Sequence, residues 1–268
     1  MQGRVENKVA IVTGAARGTG LAISRRLAEE GATVWMCDIR ADALEQAAQK
    51  LSADGHAVSL AELDVCDEQG WSGLVDQVLA RHGRVDVLVN NAALLHIARL
   101  SETEAADFER LHRVNVIGPF LGIKAVLAPM RAQGGGSIVN IASIDALTTH
   151  NGVIAYTATK FGLRGLSKTA AVELGPLGIR VNTVCPSGGS FDMIVPFLDQ
   201  IDAEASVAAP SRSLIPDNAD PRQDMVEFAE MVVFLASDAA AGCTGGDYPV
   251  DRGQTAGHVI AGMPIEAV

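Results

Sequence analysis

Short apolar runs alternate with stretches of helical period from one end of this 268-residue chain to the other, and few folds accommodate that pattern. The strand-like runs are 9–13, 33–37, 57–63, 85–90, 137–142 and 180–185. Helical stretches cover 18–30, 41–52, 68–82, 105–130, 154–174 and 221–236, and 247–250 reads as a short last strand. A run such as Val9-Ala10-Ile11-Val12 is apolar at every position, so both faces of the strand should be covered, as parallel strands are. The expectation is one α/β domain, a doubly wound parallel sheet of about seven strands with helices on both faces. Aromatic residues make up only 4% of the chain, which leaves the core to Ala, Val, Ile and Leu.

The turn after the first strand, Thr13-Gly14-Ala15-Ala16-Arg17-Gly18-Thr19-Gly20, opens a helix. Glycines there permit a tight turn and let backbone N–H groups approach a pyrophosphate at the helix N-terminus. Asp38 ends the second strand, eighteen residues after Gly20. A carboxylate at that place accepts hydrogen bonds from an adenosine ribose and repels a 2′-phosphate, and Ile39 rather than an arginine follows it. These features favour NAD over NADP in a Rossmann-like site. Arg17, within the turn, is the opposing hint, since it could reach a phosphate or stand solvated at the helix start.

Tyr156 and Lys160 are four residues apart, on one face of the helical stretch 154–174, with Ser143 thirteen residues before the tyrosine. A free phenol titrates near ~10, and an adjoining ammonium lowers that value. Tyr156 is therefore the expected acid/base for a proton that moves while hydride passes to or from a dinucleotide. Ser143 is expected to hold the developing alkoxide.

Together these motifs resemble the short-chain dehydrogenase/reductase family over nearly the whole chain. The match adds Asp64-Val65 after the third strand, Asn90-Asn91-Ala92 after the fourth, and Asn115 in a helix. The resemblance implies that Asp64 and the Val65 backbone meet the adenine and that Asn90, beside Ala92, lines the cofactor near its ribose. Lys160 would bond the nicotinamide ribose and lower the Tyr156 pKa, and Asn115 would anchor a water chain from that lysine to solvent. The segment 134–140, the stretch 164–174 and a tail past Asp251 resemble bacterial members acting on hydroxysteroids and cyclic alcohols. A homotetramer is implied, with the helices around 154–174 and Asn115 at an interface. The chain departs from the family pattern at Ala93, at Ser187 after Pro186, in the lack of a following threonine, and at Arg252. Ser190 is a candidate for the missing hydroxyl.

The cofactor set thus includes Pro186, Ser187 and Gly189 besides the turn. The substrate pocket is expected from Leu95, His96, Ser143, Ile144, Asp145, His150, Tyr156, Ser187, Gly188 and Met193, with residues 187–219 as a lid. Its stretches are mostly apolar, which suits a hydrophobic or alicyclic secondary alcohol and its ketone. An NADPH-dependent 3-oxoacyl-carrier-protein reductase and a non-catalytic dinucleotide sensor are the alternatives. The net charge of −11 argues against nucleic-acid or anionic-membrane partners, and no uninterrupted apolar run reaches the ~18 residues of a membrane span. Cys37, Cys66, Cys185 and Cys243 are scattered without CxxC spacing, so no metal site is expected. With no apolar leader at the N-terminus, the expected compartment is the cytoplasm.

Overall fold

Strand β1, Val9–Thr13, is buried at all five positions, and its alternate side chains feed two separate cores. Ala10 and Val12 join the cluster under helices α1 (Gly18–Glu29), α2 (Ala41–Ala53) and α7 (Pro221–Ala236). Val9 and Ile11 join the opposite cluster, beneath α3 (Glu68–His82), α5 (Gly118–Ala132) and α6 (Ile154–Leu174). The computed structural model describes residues 3–189, 191–201, 213–215 and 221–257.

The remaining strands are β2 (Thr33–Asp38), β3 (Val58–Glu62), β4 (Val87–Asn90), β5 (Gly136–Ile141), β6 (Ile179–Pro186) and β7 (Asp247–Val250). All pair in parallel, in the order β3-β2-β1-β4-β5-β6-β7. The order reverses between β1 and β4, where Ala10 faces Val34 on one side and Val87 on the other. Beyond the carboxyl ends of those two strands a crevice opens, the usual ligand position in such a sheet. On the first face α1 and α7 pack together, and Arg4 and Arg26 share Glu30 and Glu230 across them.

The stretch 105–130 is not one regular helix. Helix α4 (Ala105–His112) passes through a π turn, Arg113–Ile117, into α5. The Gly118 N–H reaches back to the Arg113 carbonyl, and Pro119 has no N–H to offer the Asn115 carbonyl. The whole segment Ala105–Ala132 is long and apolar enough to cross a membrane, but half of it is buried within the fold. Of the expected lid, residues 190, 202–212 and 216–220 lie outside the described residues, as does the tail beyond 257. The described part forms short 3-10 turns, Phe191–Met193 and Val195–Gln200.

Arg252, which interrupts the expected glycine pair, adopts φ 52°, a left-handed conformation that side chains other than glycine seldom take. Its guanidinium grips Glu227 at 2.8 Å to both carboxylate oxygens, and its carbonyl accepts from Leu214 and Ile215.

Candidate active site

A cavity of about 330 Å³ lies beyond the carboxyl ends of β4, β5 and β6, with Thr19 of the glycine-rich turn on its wall. At one end lies the glycine-rich turn. A Cβ at Gly20 would stand 2.0 Å from the Gly14 carbonyl oxygen, and one at Gly14 would stand 2.9 Å from the Ala92 Cα. Only glycine permits this closeness of turn, helix start and β4 end. The Asn91 amide spans the same junction, donating to the Thr13 and Gly14 carbonyls and accepting from the Thr19 hydroxyl. Asn90 is turned the other way. Its carboxamide is buried beneath the sheet end, donating to Asn140, which in turn donates to Ser167. The Asn90 carboxamide thus does not face the cavity: successive strand residues face opposite sides, and Asn91 is the one whose side chain is on it.

Asp38 is buried at the end of β2, where its carboxylate accepts from the Ala16 N–H at 3.1 Å. Arg40, two residues on, folds back onto it. The Arg40 N–H and Nε donate to Oδ1 at 3.0 and 3.1 Å, and Nη2 donates to Oδ2 at 3.1 Å. Burial alone raises the Asp38 carboxyl, but the hydrogen bonds from Arg40 and Ala16 outweigh it and the net shift is downward. Asp38 is thus half of an ion pair with Arg40, which the residue at position 39 does not reveal. Asp64 follows β3, exposed and oriented by the Cys66 N–H at 2.8 Å, with Val65 buried beside it. Arg17 caps α1 and leans toward Asp192 at 3.7 Å.

At the other end stand Ser143, Tyr156 and Lys160, all buried. Ser143 ends the β5 extension and caps a 3-10 turn, Ile144–Ala146, by accepting from the Asp145 N–H. Helix α6 carries Tyr156 and Lys160 on one face, with the ammonium 5.4 Å from the phenol ring centre and donating to the Ile141 carbonyl at 2.9 Å. Burial, and next the Asp145 carboxylate, push the Tyr156 phenol well above its ordinary range, while a hydrogen bond with Ser143 works against them. Lys160 is lowered to about 8, by burial first. The expected lowering of the phenol by the lysine is therefore corrected. In this protein burial governs both groups, and at neutral pH the site holds a neutral phenol beside an ammonium. Asn115 uses its carboxamide on the Leu94 backbone in both directions and on Thr159.

Of the expected pocket residues, Leu95, Ser143, Asp145, His150, Tyr156, Ser187, Gly188 and Met193 line the cavity, with Pro186 and Gly189 beside them. His96 and Ile144 do not. Alternate residues Ala93, Leu95 and Ile97 face inward, and His96 is turned toward Asp107 and the edge of Phe197. Ser190 lies outside the described residues. Among the described residues no cluster of His, Cys, Asp or Glu could hold a metal.

A phosphate cradle at a topological switch point, with a proton donor and a hydroxyl at the far end of the same cavity, defines an alcohol–ketone oxidoreductase that works with a dinucleotide. Residues 8–200 match the short chain dehydrogenase family, and the chain belongs to it. It is an oxidoreductase acting on alcohols, and its family binds a nicotinamide dinucleotide. It is 38% identical over 254 residues to a cyclopentanol dehydrogenase of Comamonas sp. (strain NCIMB 9872), covering 95% of this chain and 99% of that one. To a 3-alpha-(or 20-beta)-hydroxysteroid dehydrogenase of Mycobacterium bovis it is 39% identical over 258 residues, 96% of this chain and 93% of that one. Among solved structures, a gluconate 5-dehydrogenase of Burkholderia cenocepacia J2315 in complex with NADP and tartrate superposes with a TM-score of 0.86. It is 31% identical and covers 95% of this chain and 97% of that one.

Proposed function

We propose that the protein is an NAD(H)-dependent dehydrogenase interconverting a hydrophobic or alicyclic secondary alcohol and its ketone, with Tyr156 as general acid and base. The observation that carries this reading is the meeting of Ser143, Tyr156 and Lys160 at one largely apolar cavity. The residues fit a dinucleotide, because the space a Cβ would fill at Gly14 and Gly20 keeps the turn tight and its N–H groups accessible. Gly14, Gly18, Thr19 and Gly20 would hold the pyrophosphate, Asp38 the ribose, Asp64 and Val65 the adenine, and Pro186 to Gly189 the nicotinamide. When bound, the nicotinamide supplies the hydride acceptor or donor.

The chain's own side chains handle the proton. Tyr156, a neutral phenol, gives it to the ketone; in oxidation the alcohol's proton goes to the Tyr156 phenolate that the Lys160 ammonium offsets. Ser143 turns its one hydroxyl proton from Asp145 to the oxygen on which charge builds, and the buried Lys160 ammonium offsets the phenolate left when Tyr156 gives its proton up. The Asn115 carbonyl, without an α-helical donor because of Pro119, anchors the water chain between Lys160 and solvent.

NAD is favoured because Asp38 repels a 2′-phosphate. An NADPH-dependent 3-oxoacyl-carrier-protein reductase would require Arg40 to leave Asp38 for that phosphate. A non-catalytic sensor would have no use for the Ser143–Tyr156–Lys160 set. Cyclopentanol and hydroxysteroid relatives support an alicyclic substrate, and a cavity of about 330 Å³ that must also admit the nicotinamide favours a small ring. The proposal extends to a homotetramer in the cytoplasm, where the four free cysteines suit a reducing environment.

The test is NAD and NADP reduction across a panel of alicyclic, steroid, terpenoid and acyl-chain alcohols. Tyr156→Phe should lower turnover by about 10²–10⁴-fold while NADH still binds by fluorescence titration. Near-wild-type turnover in that variant would remove Tyr156 from its role.

A further inference from the structure

Ser143 has a single proton, and in the resting site Asp145 holds it. A serine hydroxyl offers one O–H and two lone pairs. Here the O–H donates to Asp145 Oδ2 at 3.2 Å, and one lone pair accepts the Asp145 N–H at 3.1 Å. The second lone pair remains, and the Tyr156 phenol lies in hydrogen-bonding reach of the same hydroxyl. A lone pair accepts from a phenol but repels a phenolate, so this arrangement favours the proton staying on Tyr156. Asp145 itself is held on both edges. It is 5% exposed, and its Oδ1 is sealed from the cavity and faces the His150 Nδ1 at 3.0 Å. Both carboxylate oxygens are thus engaged, and Asp145 acts on the reaction through Ser143 and through its charge.

We infer that Asp145 is a positioning residue: by claiming the Ser143 proton it turns a Ser143 lone pair toward Tyr156, keeps the phenolic proton in place, and so sets the pH above which ketone reduction fails. This rests on the function proposed above and deepens it. The reach of the carboxylate's charge supports it. After burial, Asp145 is the next cause that raises the Tyr156 phenol, and it also resists the burial that lowers Lys160 to about 8. The other ionisable groups around Asp145 do not duplicate it. His150, charged only when protonated, faces Oδ1 from the loop before α6. Cys185 of β6 is pushed up to about 12, by burial first, and stands as a neutral thiol. Arg164 of α6 is turned to the Ala146 carbonyl and to Asp247. Among the described residues that line the cavity, Asp145 is the one acid. During turnover Ser143 swings its proton from Asp145 to the substrate oxygen, and it swings back when product leaves. Only hydrogen bonds change in that step, and the hydride and proton transfers are those already described.

The experiment follows kcat/KM for cyclopentanone reduction against pH in the wild type, Asp145→Asn and Asp145→Glu. Beside it, NMR of isotope-labelled tyrosine follows Tyr156 and Tyr248, the two tyrosines of the chain, without any substrate. In Asp145→Asn the falling limb should lie about one pH unit or more below that of the wild type. The Tyr156 ring signal should begin to titrate at lower pH as well, while the Tyr248 signal keeps its place. Asp145→Glu retains the charge and should keep the limb near its wild-type position. Lower rates in Asp145→Asn with an unmoved limb and an unmoved Tyr156 signal would make Asp145 a structural cap of its turn and overturn the proposal. A shift in Asp145→Glu as large as in Asp145→Asn would overturn it too, because charge would not be the cause. Should Asp145→Asn not fold, Asp145→Ala carries the same expectation. No reduction of cyclopentanone by the wild type would count against the alicyclic reading, and the tyrosine signals would still decide the role of Asp145.

Discussion

Burial sets the working charges at single residues here. Because Tyr156 is held above its ordinary range, it stays a neutral phenol across the usual assay range, and Lys160, lowered to about 8, is the group that titrates. Below that value Lys160 is an ammonium and can offset the phenolate left when Tyr156 protonates a ketone; above it the offset is lost. The kcat/KM for ketone reduction should accordingly be level below pH 8 and fall above it, and a profile level to pH 10 would contradict the assignment. Asp38 and Arg40 make opposite predictions from one ion pair. Asp38→Asn removes the charge that repels a 2′-phosphate and frees Arg40 to meet it, so the NADP-to-NAD ratio of kcat/KM should rise by roughly 10–100-fold, as expected for one charged hydrogen bond. Arg40→Ala leaves the carboxylate bare and should lower that ratio. Ratios unchanged in both variants would place neither residue at the ribose. Tyr156, Lys160 and Ser143 were legible because their spacing alone carries the chemistry. The turn of Asn91 rather than Asn90 toward the cavity, of His96 away from it and of Arg40 onto Asp38 was not legible, because spacing does not encode which way a side chain turns.

Elements were legible to within a residue or two wherever both faces are buried, since in a strand such as β1 the apolar run itself marks the limits. The long helix over 105–130 was not, because its period survives an inserted residue: the π turn at Arg113–Ile117 shifts the hydrogen bonds while Val116, Leu121 and Ile123 remain buried. Pro119 was the visible signal, a residue with no N–H placed four positions after Asn115. The glycine turn gives the sharpest test at this scale. A Cβ at Gly20 meets the Gly14 backbone oxygen, which no rotamer change relieves. Gly20→Ala should therefore cost about 3 kcal/mol, at the upper end of overpacking, and lower the melting temperature by roughly 6–12 °C. NAD affinity should fall with it. Gly55→Ala, in open space at φ 88°, is the control, strained locally but without effect on NAD binding. Equal NAD affinity in Gly20→Ala would mean that the turn does not meet the pyrophosphate.

Over the whole molecule, one face is more apolar than a lone chain needs. On α6, Ile154, Phe161 and Val172 are 42%, 44% and 76% exposed, and their spacings of seven and eleven residues put them on one stripe of the helix. Phe120 of α5 is 49% exposed and Phe108 of α4 is 37% exposed, so the apolar exposure extends to the helices next in the same layer. Scattered apolar residues are ordinary on a surface, but an aligned stripe of large ones is a surface meant to be covered. Covering the exposed remainder of each such side chain is worth about 0.6–2 kcal/mol, so α6 alone offers a few kcal/mol per interface against the cost of association. The homotetramer proposed above gives this stripe its partner, a second copy of the same helix in an isologous contact. Sedimentation equilibrium should then return four times the 27.9 kDa chain mass. Phe161→Glu combined with Val172→Glu would set like charges facing across the two-fold axis and should shift the mass to dimer or monomer. Both changes lie on the exposed side of α6, away from Tyr156 and Lys160, so NADH should still bind. A wild-type mass equal to one chain would leave the stripe without this explanation.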